Sequence, residues 1–349
     1  MAGQASGQVL WEFEGIVEAA IFAGKRRSST FAIIHQGAVV CDEYFAGALP
    51  PEMPGSEGRM RTVDDVTDMR SSQKSVVSVL LGIARGKGLL TLEDSLTQHI
   101  GPWSKATPEQ EEAITLRHAL SMSAGLDNDD AFVAPPGERW HYSLGIMTHC
   151  LKSVLEAVTG QDINALSREW LWTPLGLDHH EAIFLPALND QAVNPRPIPR
   201  HEVMIPTALG KPKKLNLTLY MNSRACAFFG ELIRLGGEWD GAQLIPADYL
   251  EEATRPSQQL NPAYGLYFWL ADTQGAGPGR WAETQAPPDL VAAMGTASNN
   301  IYVSKELELV VVRQGLAPDG AEGEEEGFEE GLWKRIVGAM GGHAPLPSL

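Results

Sequence analysis

The chain has 349 residues, 44% of them hydrophobic and 20% charged, which is the composition of an ordinary folded protein with one large domain or two lobes. Its 44 acidic side chains against 27 basic ones give a formal charge of −17, which argues against a nucleic-acid or anionic-membrane partner, because phosphate contact needs clustered Lys and Arg. Three cysteines, Cys41, Cys150 and Cys226, with no short spacing between them, exclude a disulfide framework and a cysteine-based zinc site.

The first expected element is a helix. Between residues 8 and 23, Val9, Leu10, Phe13, Ile16, Val17, Ala20 and Ile21 recur at three- and four-residue steps, an amphipathic stripe. Glu12, Glu14 and Glu18 interrupt it and no basic segment precedes it, so it lacks the form of a secretory signal. No long apolar run follows anywhere, and a cytoplasmic location is the expectation. Residues 29–34 and 38–45 are β-rich and meet at His35-Gln36-Gly37, a hairpin signal. Residues 46–58 read as a Pro/Gly loop.

From about residue 70 to 235 helical patterns dominate. Residues 75–84 (SVVSVLLGIA) are apolar on nearly every side, which predicts a central, buried helix. Residues 144–158, 163–171 and 225–235 predict three more. Strand signals return at 265–271, 300–303 and 307–313, the last two joined as a hairpin across Ser304-Lys305-Glu306. The acidic run 322–330 reads as a solvated loop leading into a helix over 328–340, where negative charge suits the helix dipole. The order predicts a mixed α/β (α+β) fold. Segments 1–70 and 215–349 form an antiparallel sheet lobe, 71–214 a mainly helical lobe, and the active site lies between them.

Three stretches carry candidate chemistry. Ser71-Ser72-Gln73-Lys74 opens the buried helix and is the sole Ser-x-x-Lys of the chain. Residues three apart on a helix share a face, so the Ser71 hydroxyl and Lys74 amine can act as nucleophile and base if burial keeps the lysine neutral. The bland reading is a helix-capping serine beside a partly exposed lysine. The turn-rich stretch from Pro135 to Ser143 delivers Tyr142, either a proton shuttle or a packed core tyrosine. Ala292-Ala293-Met294-Gly295-Thr296-Ala297-Ser298 is small enough for close backbone approach, and an N–H there could join that of Ser71 as an oxyanion hole; a plain turn before an edge strand is the alternative.

Taken in order, these stretches resemble the serine beta-lactamase-like superfamily. The branch is that of class C beta-lactamases, D-alanyl-D-alanine carboxypeptidases, family VIII carboxylesterases and 6-aminohexanoate-dimer hydrolases. Met69 to Ser75 with the following Gly88 to Asp94, Ile114 to Leu126, Pro136-Gly137 through Tyr142-Ser143, Gly236 to Gly241 and residues 302–312 carry the likeness. The resemblance implies a beta-lactamase-like fold, Ser71 as acylated nucleophile, Lys74 as its deprotonating partner and Tyr142 as general acid or base. It aligns Ala293-Met294-Gly295 with a motif that is commonly Lys-Thr-Gly or His-x-Gly, and makes Met294, Gly295 and Thr296 the substrate-binding and oxyanion residues, with the Thr296 N–H as donor. The second motif ends in Leu144 where relatives often have Asn. The third lacks the cation that recognises a substrate carboxylate.

His179-His180-Glu181 lacks helical metal-ligand spacing, and Asp127-Asn128-Asp129-Asp130 lacks a calcium loop's glycine and terminal glutamate. His118 is expected to cap or pack. Trp140, Tyr264, Tyr267, Phe268 and Trp269 line an acyl pocket or pack in the core. The expected activity is cofactor-free and metal-free hydrolysis of a small-molecule substrate. Short neutral acyl esters come first, small linear amides next, and β-lactams third. A slow, penicillin-binding-like ligand or sensor module is the reading from a different class.

Overall fold

Gln36 and Gly37 both take positive φ, 53° and 76°, the conformation of a two-residue hairpin turn whose twist matches that of its strands. They join β1 (Ser28–His35) to β2 (Ala38–Tyr44). The structure is a computed structural model describing residues 11–45, 62–143, 146–186, 217–273, 280–318 and 327–341. The expected loop at 46–58, residues 8–10 of the first helix and residues 322–326 of the acidic run lie outside these.

Along its other edge β1 pairs with β11 (Leu309–Gly315), placing Phe31 opposite Arg313. With β10 (Asn299–Ser304), β9 (Val291–Gly295) and the short β8 (Trp269–Leu270) they form a six-stranded antiparallel sheet in the order β2-β1-β11-β10-β9-β8. Every residue of β1 is buried, because both faces of the sheet are covered. Phe31 and Ile33 enter one core with α1 (Phe13–Lys25) and α10 (Phe328–Ala339), while Ala32 and Ile34 enter the other. α8 (Ser223–Arg234) covers that second face.

The second core surrounds α2 (Gln73–Gly86), buried without a break from Lys74 to Ala84. α3 (Leu96–Ile100), α4 (Pro108–Glu112), α5 (Leu116–Leu120), α6 (Ile146–Thr159) and α7 (Ile163–Ser167) follow it. A second sheet of three strands sets β5 (Leu217–Met221) between β3 (Thr67–Asp68) and β4 (Ala182–Pro186). A two-stranded ribbon, β6 (Glu238–Trp239) and β7 (Ala242–Gln243), leads to α9 (Ala247–Ala253). Gly82 lets α9 approach α2: a Cβ there would collide with the Tyr249 ring. Among the described residues no helix is long and apolar enough to cross a membrane.

Three elements depart from the sequence expectation. The helix expected over 163–171 is α-helical only to Ser167 and widens into a π turn over Arg168–Trp172. The last hairpin closes later than expected, through Lys305–Glu308, with Glu308 at φ 48° and β11 starting at Leu309. Residues 265–271 form a strand only at Trp269–Leu270, because the backbone before it is bonded elsewhere. The Leu266 N–H donates to Ala253 O (3.0 Å) and the Tyr267 N–H to Leu120 O (3.0 Å), with Tyr267 at φ 65°. The carbonyls of Leu266 and Tyr267 accept from Ser78 Oγ (2.7 Å) and Ser75 Oγ (2.6 Å), tying this segment to α2.

Arg313 locks the sheet to its surroundings. It is fully buried, and its guanidinium donates to Ser28 Oγ (3.0 Å), Arg26 O (3.0 Å), Leu316 O (2.7 Å) and the Ala297 carbonyl. One side chain thus holds the end of α1, the start of β1 and the turn after β9. Arg313→Met should leave three buried carbonyls unsatisfied at about 1–3 kcal/mol each. A fall of at least about 3 kcal/mol in urea-unfolding free energy is therefore expected; a change under about 1 kcal/mol would show that these bonds do not hold the sheet.

Candidate active site

The turn before α2 is held from two sides. On one side, the Met69 N–H donates to Leu219 O of β5 (2.8 Å). Asp68 Oδ1 accepts from the Arg70 N–H (2.8 Å) and from Thr218 Oγ1 (2.9 Å). Arg70 takes φ 51°, a left-handed conformation that costs a non-glycine residue about 1 kcal/mol or more and persists where neighbours fix it. On the other side, buried Ser72 donates from Oγ to Ala293 O of β9 (3.3 Å) and contacts Asn299 O of β10. Between these anchors Ser71 sits in the 3-10 turn Arg70–Ser72 that opens α2.

The structure brings Ser71, Lys74 and Tyr142 together. Lys74 Nζ lies 3.2 Å from Ser71 Oγ and 5.1 Å from the centre of the Tyr142 ring. The Tyr142 hydroxyl hydrogen-bonds the Ser71 side chain. Lys74 is only 3% exposed, and that burial pulls its pKa down to about 8. Burial pushes the Tyr142 phenol above its usual range, a rise opposed by its bond to Ser71 and by the charge of Arg280. The two groups on Ser71 are therefore a lysine that gives up its proton readily and a phenol that keeps its own.

The tip of β9 forms the facing wall. A Cβ on Gly295 would run into the Met69 carbonyl oxygen and stand 3.0 Å from both Asn299 O and Ser72 Oγ, so only glycine lets the strand lie against the nucleophile turn. The Gly295 N–H is occupied, donating to Asn300 Oδ1 (3.1 Å). Asn300 Nδ2 contacts Tyr302 OH (2.7 Å), Tyr302 OH donates to Glu329 Oε1 (2.7 Å), and Trp281 Nε1 donates to the same carboxylate. A hydrogen-bonded chain thus runs from α10 to the end of β9. Thr296 follows as an exposed residue opening a tight turn in which Ala297 and Ser298 have positive φ. Met294 packs towards the core under α1 and α10, while Ala293 faces the core of α2, the alternation expected of a strand.

Trp140, Tyr142, Tyr264 and Trp269 form one aromatic wall. Tyr142 stacks on Trp269 at 5.9 Å, and Tyr264 meets Trp269 edge-on at 4.9 Å. The Arg280 guanidinium lies 5.2 Å from the centre of the Trp269 ring. Tyr264, Tyr267 and Phe268 are fully buried and belong to the core. His118 caps α5, its Nδ1 accepting the Thr115 N–H (3.2 Å). Asp127 Oδ1 closes its own turn by accepting from the N–H groups of Asp129 (2.9 Å) and Ala131 (3.0 Å). Among the described residues no group of three or more His, Cys, Asp or Glu could hold a metal. Leu144 lies outside the described residues.

Sequence reasoning missed Asp68, Thr218, Gln73, Lys152 and Arg280. Thr218, Lys152 and Arg280 act there through partners distant in sequence, for which periodicity carries no signal, while Asp68 and Gln73 brace the turn locally.

A family model described as Beta-lactamase matches residues 13–314. No curated protein matches the chain by sequence. Among solved structures, a Bacteroides dorei DSM 17855 protein named as a candidate beta-lactamase superposes with a TM-score of 0.69 at 14% identity, over 95% of this chain and 99% of that one. A family VIII carboxylesterase gives 0.66 at 17%, over 97% and 99%. A Bacillus anthracis protein named as a candidate 6-aminohexanoate-dimer hydrolase gives 0.63 at 15%, over 94% and 83%. At these identities the likeness is one of fold.

Gly295→Ala should separate β9 from the nucleophile turn while the sheet survives, since overpacking of this kind costs about 1–3 kcal/mol. Labelling of Ser71 by a serine-directed phosphonate should slow by roughly 100-fold, the penalty of about 1 Å of misplacement. Labelling at the wild-type rate would show that the strand tip does not shape the site.

Proposed function

The chain belongs to the beta-lactamase family of serine hydrolases, and from this we propose that it is a carboxylesterase that forms an acyl-enzyme on Ser71 and acts on small, neutral acyl esters. The observation that carries the reading is the pair of contacts on Ser71: Lys74 Nζ at 3.2 Å, with its pKa drawn down to about 8, and the hydroxyl of Tyr142, whose proton affinity is raised.

That difference sets the order of proton transfers. Free-base Lys74 accepts the Ser71 proton as Oγ attacks the ester carbonyl carbon. The resulting oxyanion accepts from the N–H groups of Ser71 and Thr296, at a helix start and just beyond a strand end. The Gly295 N–H, already given to Asn300, is not available for this role. As the tetrahedral species collapses, the bond to the leaving oxygen breaks and Tyr142 gives that oxygen its proton. Tyr142 is reprotonated by Lys74. Water then attacks the acyl-serine, losing its proton along the same path, and Ser71 recovers its hydrogen.

The neutral acyl preference rests on the walls. Gly295 and Thr296 bring no charge, and Trp140, Tyr142 and Trp269 present rings, with the Arg280 guanidinium over the Trp269 face. Arg313 cannot serve a substrate carboxylate, because its donors are spent on backbone carbonyls and Ser28. Hydrolysis of small linear amides is the second reading. Its support is that an amine must be protonated to leave, and Tyr142, beside Ser71, still holds a proton to give in the resting site.

Ser71→Ala should lower turnover of a short p-nitrophenyl ester by at least about 10⁴-fold, with unfolding free energy within about 1 kcal/mol of wild type. The phosphonate adduct should map to Ser71. An adduct elsewhere, or a tenth of wild-type turnover remaining, overturns the assignment.

The rate should rise with pH through about 8, as Lys74 loses its proton. Lys74→Arg should be nearly inactive because guanidinium stays protonated. The ester should exceed a chromogenic cephalosporin in kcat/KM by at least roughly tenfold, about 1.4 kcal/mol of transition-state preference. A preference for the cephalosporin overturns the neutral-acyl reading, and ligand retention without turnover would make the protein a binding module.

A further inference from the structure

Arg70, directly before the nucleophile, is left-handed at φ 51°, and side chains hold both its backbone N–H and its carbonyl. The N–H donates to Asp68 Oδ1 (2.8 Å), and the carbonyl accepts from Gln73 Nε2 (3.0 Å). The two side chains meet on Thr218 of β5, whose Oγ1 lies 2.9 Å from Asp68 Oδ1 and 3.1 Å from Gln73 Nε2. Arg70, Asp68, Thr218 and Gln73 thus close a ring of hydrogen bonds around one residue.

The ring can be wired in one direction only. A carboxylate oxygen accepts and an amide nitrogen donates, so Thr218 gives its single proton to Asp68 and accepts from Gln73. Lys152 of α6 fixes the Gln73 amide, because its Nζ lies 3.4 Å from Oε1 and can only donate, while Arg70 O can only accept. A turned amide would face the wrong partner at both ends. Asp68 and Thr218 are both buried, so bulk water does not compete for their bonds. The other anchors of the turn hold its flanks: Met69 is bonded to Leu219 O of β5 and Ser72 to Ala293 O of β9. Neither fixes the rotation of Arg70 between them.

We propose that Thr218 is a positioning residue for Ser71: through Asp68 and Gln73, its hydroxyl keeps Arg70 left-handed, and that backbone aims the Ser71 hydroxyl at Lys74. The inference rests on Ser71 being the nucleophile of the proposed hydrolysis. A non-glycine residue held left-handed returns to ordinary backbone space once its restraints go, and the next side chain swings with it. Ser71 Oγ stands 3.2 Å from Lys74 Nζ, so a displacement of about 1 Å breaks that contact. Sequence alone gives Thr218 no such role, since it lies 145 positions from Gln73 and 150 from Asp68.

The test is the rate of phosphonate labelling of Ser71 and the ester kcat/KM, on protein shown to be folded at the assay temperature. Thr218→Val keeps the side chain's shape and deletes the hydroxyl, and Gln73→Met does the same for the amide. Each should slow labelling by roughly tenfold, whereas Thr218→Ser, which keeps the hydroxyl, should label near the wild-type rate. Arg70→Gly is the discriminating background, because glycine takes positive φ as readily as negative. There Thr218→Val should slow labelling by less than about threefold relative to Arg70→Gly alone, the coupling expected of residues that act through one another. A merely structural hydroxyl would lower the unfolding free energy and leave the labelling of folded protein unchanged, or would cost the same factor in both backgrounds. Either result overturns the inference. If Thr218→Val does not fold, Gln73→Met with and without Arg70→Gly makes the same comparison. Wild-type labelling is scored first: its absence brings down the hydrolase reading and this inference with it, whereas normal wild-type labelling with no coupling to Arg70 brings down only the role of Thr218.

Discussion

An ammonium group is costly to hold away from water, and the cost of burying Lys74 organises the site around it. The group meets a hydroxyl, an aromatic ring and apolar helix neighbours. That environment exists because α2 is buried from Lys74 to Ala84, and α2 can be buried only if other elements wrap it entirely. α9 does so through the gap left by Gly82, and the segment at 266–267 does so by giving its carbonyls to Ser75 and Ser78. The polar residues of α2 are thus the points where it is fastened, and its apolar residues lower the local dielectric for its first turn. The sheet supplies the other half by clamping the turn between Asp68 and β9.

Local chemistry made part of this legible from the chain alone. The apolar run at 75–84 identifies α2 because no partly exposed helix can be apolar on every side. Gln36-Gly37 identifies the first hairpin because few residue pairs accept two positive φ values. Ser71, Lys74 and Tyr142 are legible through the likeness of their motifs to a known superfamily, and the distances place them in contact. Lys152 is the opposite case. A lysine within an amphipathic helix looks like a solvent-facing residue, and only the arrival of Leu217 and Gln73, 65 residues downstream and 79 upstream, makes it a buried cation. Arg313 was similarly opaque. On a strand reading LELVVVR it resembles a terminal exposed residue, yet it is the donor for carbonyls from two other segments and for one just beyond its own strand. The segment at 265–271 shows the reverse error, since its aromatic content signals a strand while its backbone donors and acceptors are consumed by α2 and its neighbours.

The wall opposite the nucleophile is positioned by a helix that does not touch the reaction. Glu329 of α10 accepts from Tyr302 and Trp281, and the tyrosine oxygen then fixes which end of the Asn300 amide faces Gly295. An amide can turn over in place, so a strand end resting on an asparagine is well defined only when something decides that orientation. Here the decision is made by a carboxylate on the far side of the sheet, and it commits the Gly295 N–H while the adjacent residue carries the oxyanion role in the proposed mechanism.

The pairing of β1 with β11 also imposes an order in time. Strands separated by some 280 positions must find each other before the sheet is whole, and loop closure over such a span is slow compared with forming a local helix. During synthesis the N-terminal hairpin leaves the ribosome long before its partner has been translated, exposing an edge of Phe31, Ile33 and Ile34 while α2 and its surrounding helices can already collect. An unpaired strand edge of that kind is a template for the wrong neighbour. The chain therefore depends on the residues around β11 both to finish its sheet and to end a vulnerable interval in its own biogenesis, and a nascent chain arrested before residue 309 would hold the β9 wall on strands with nothing to join them to β1.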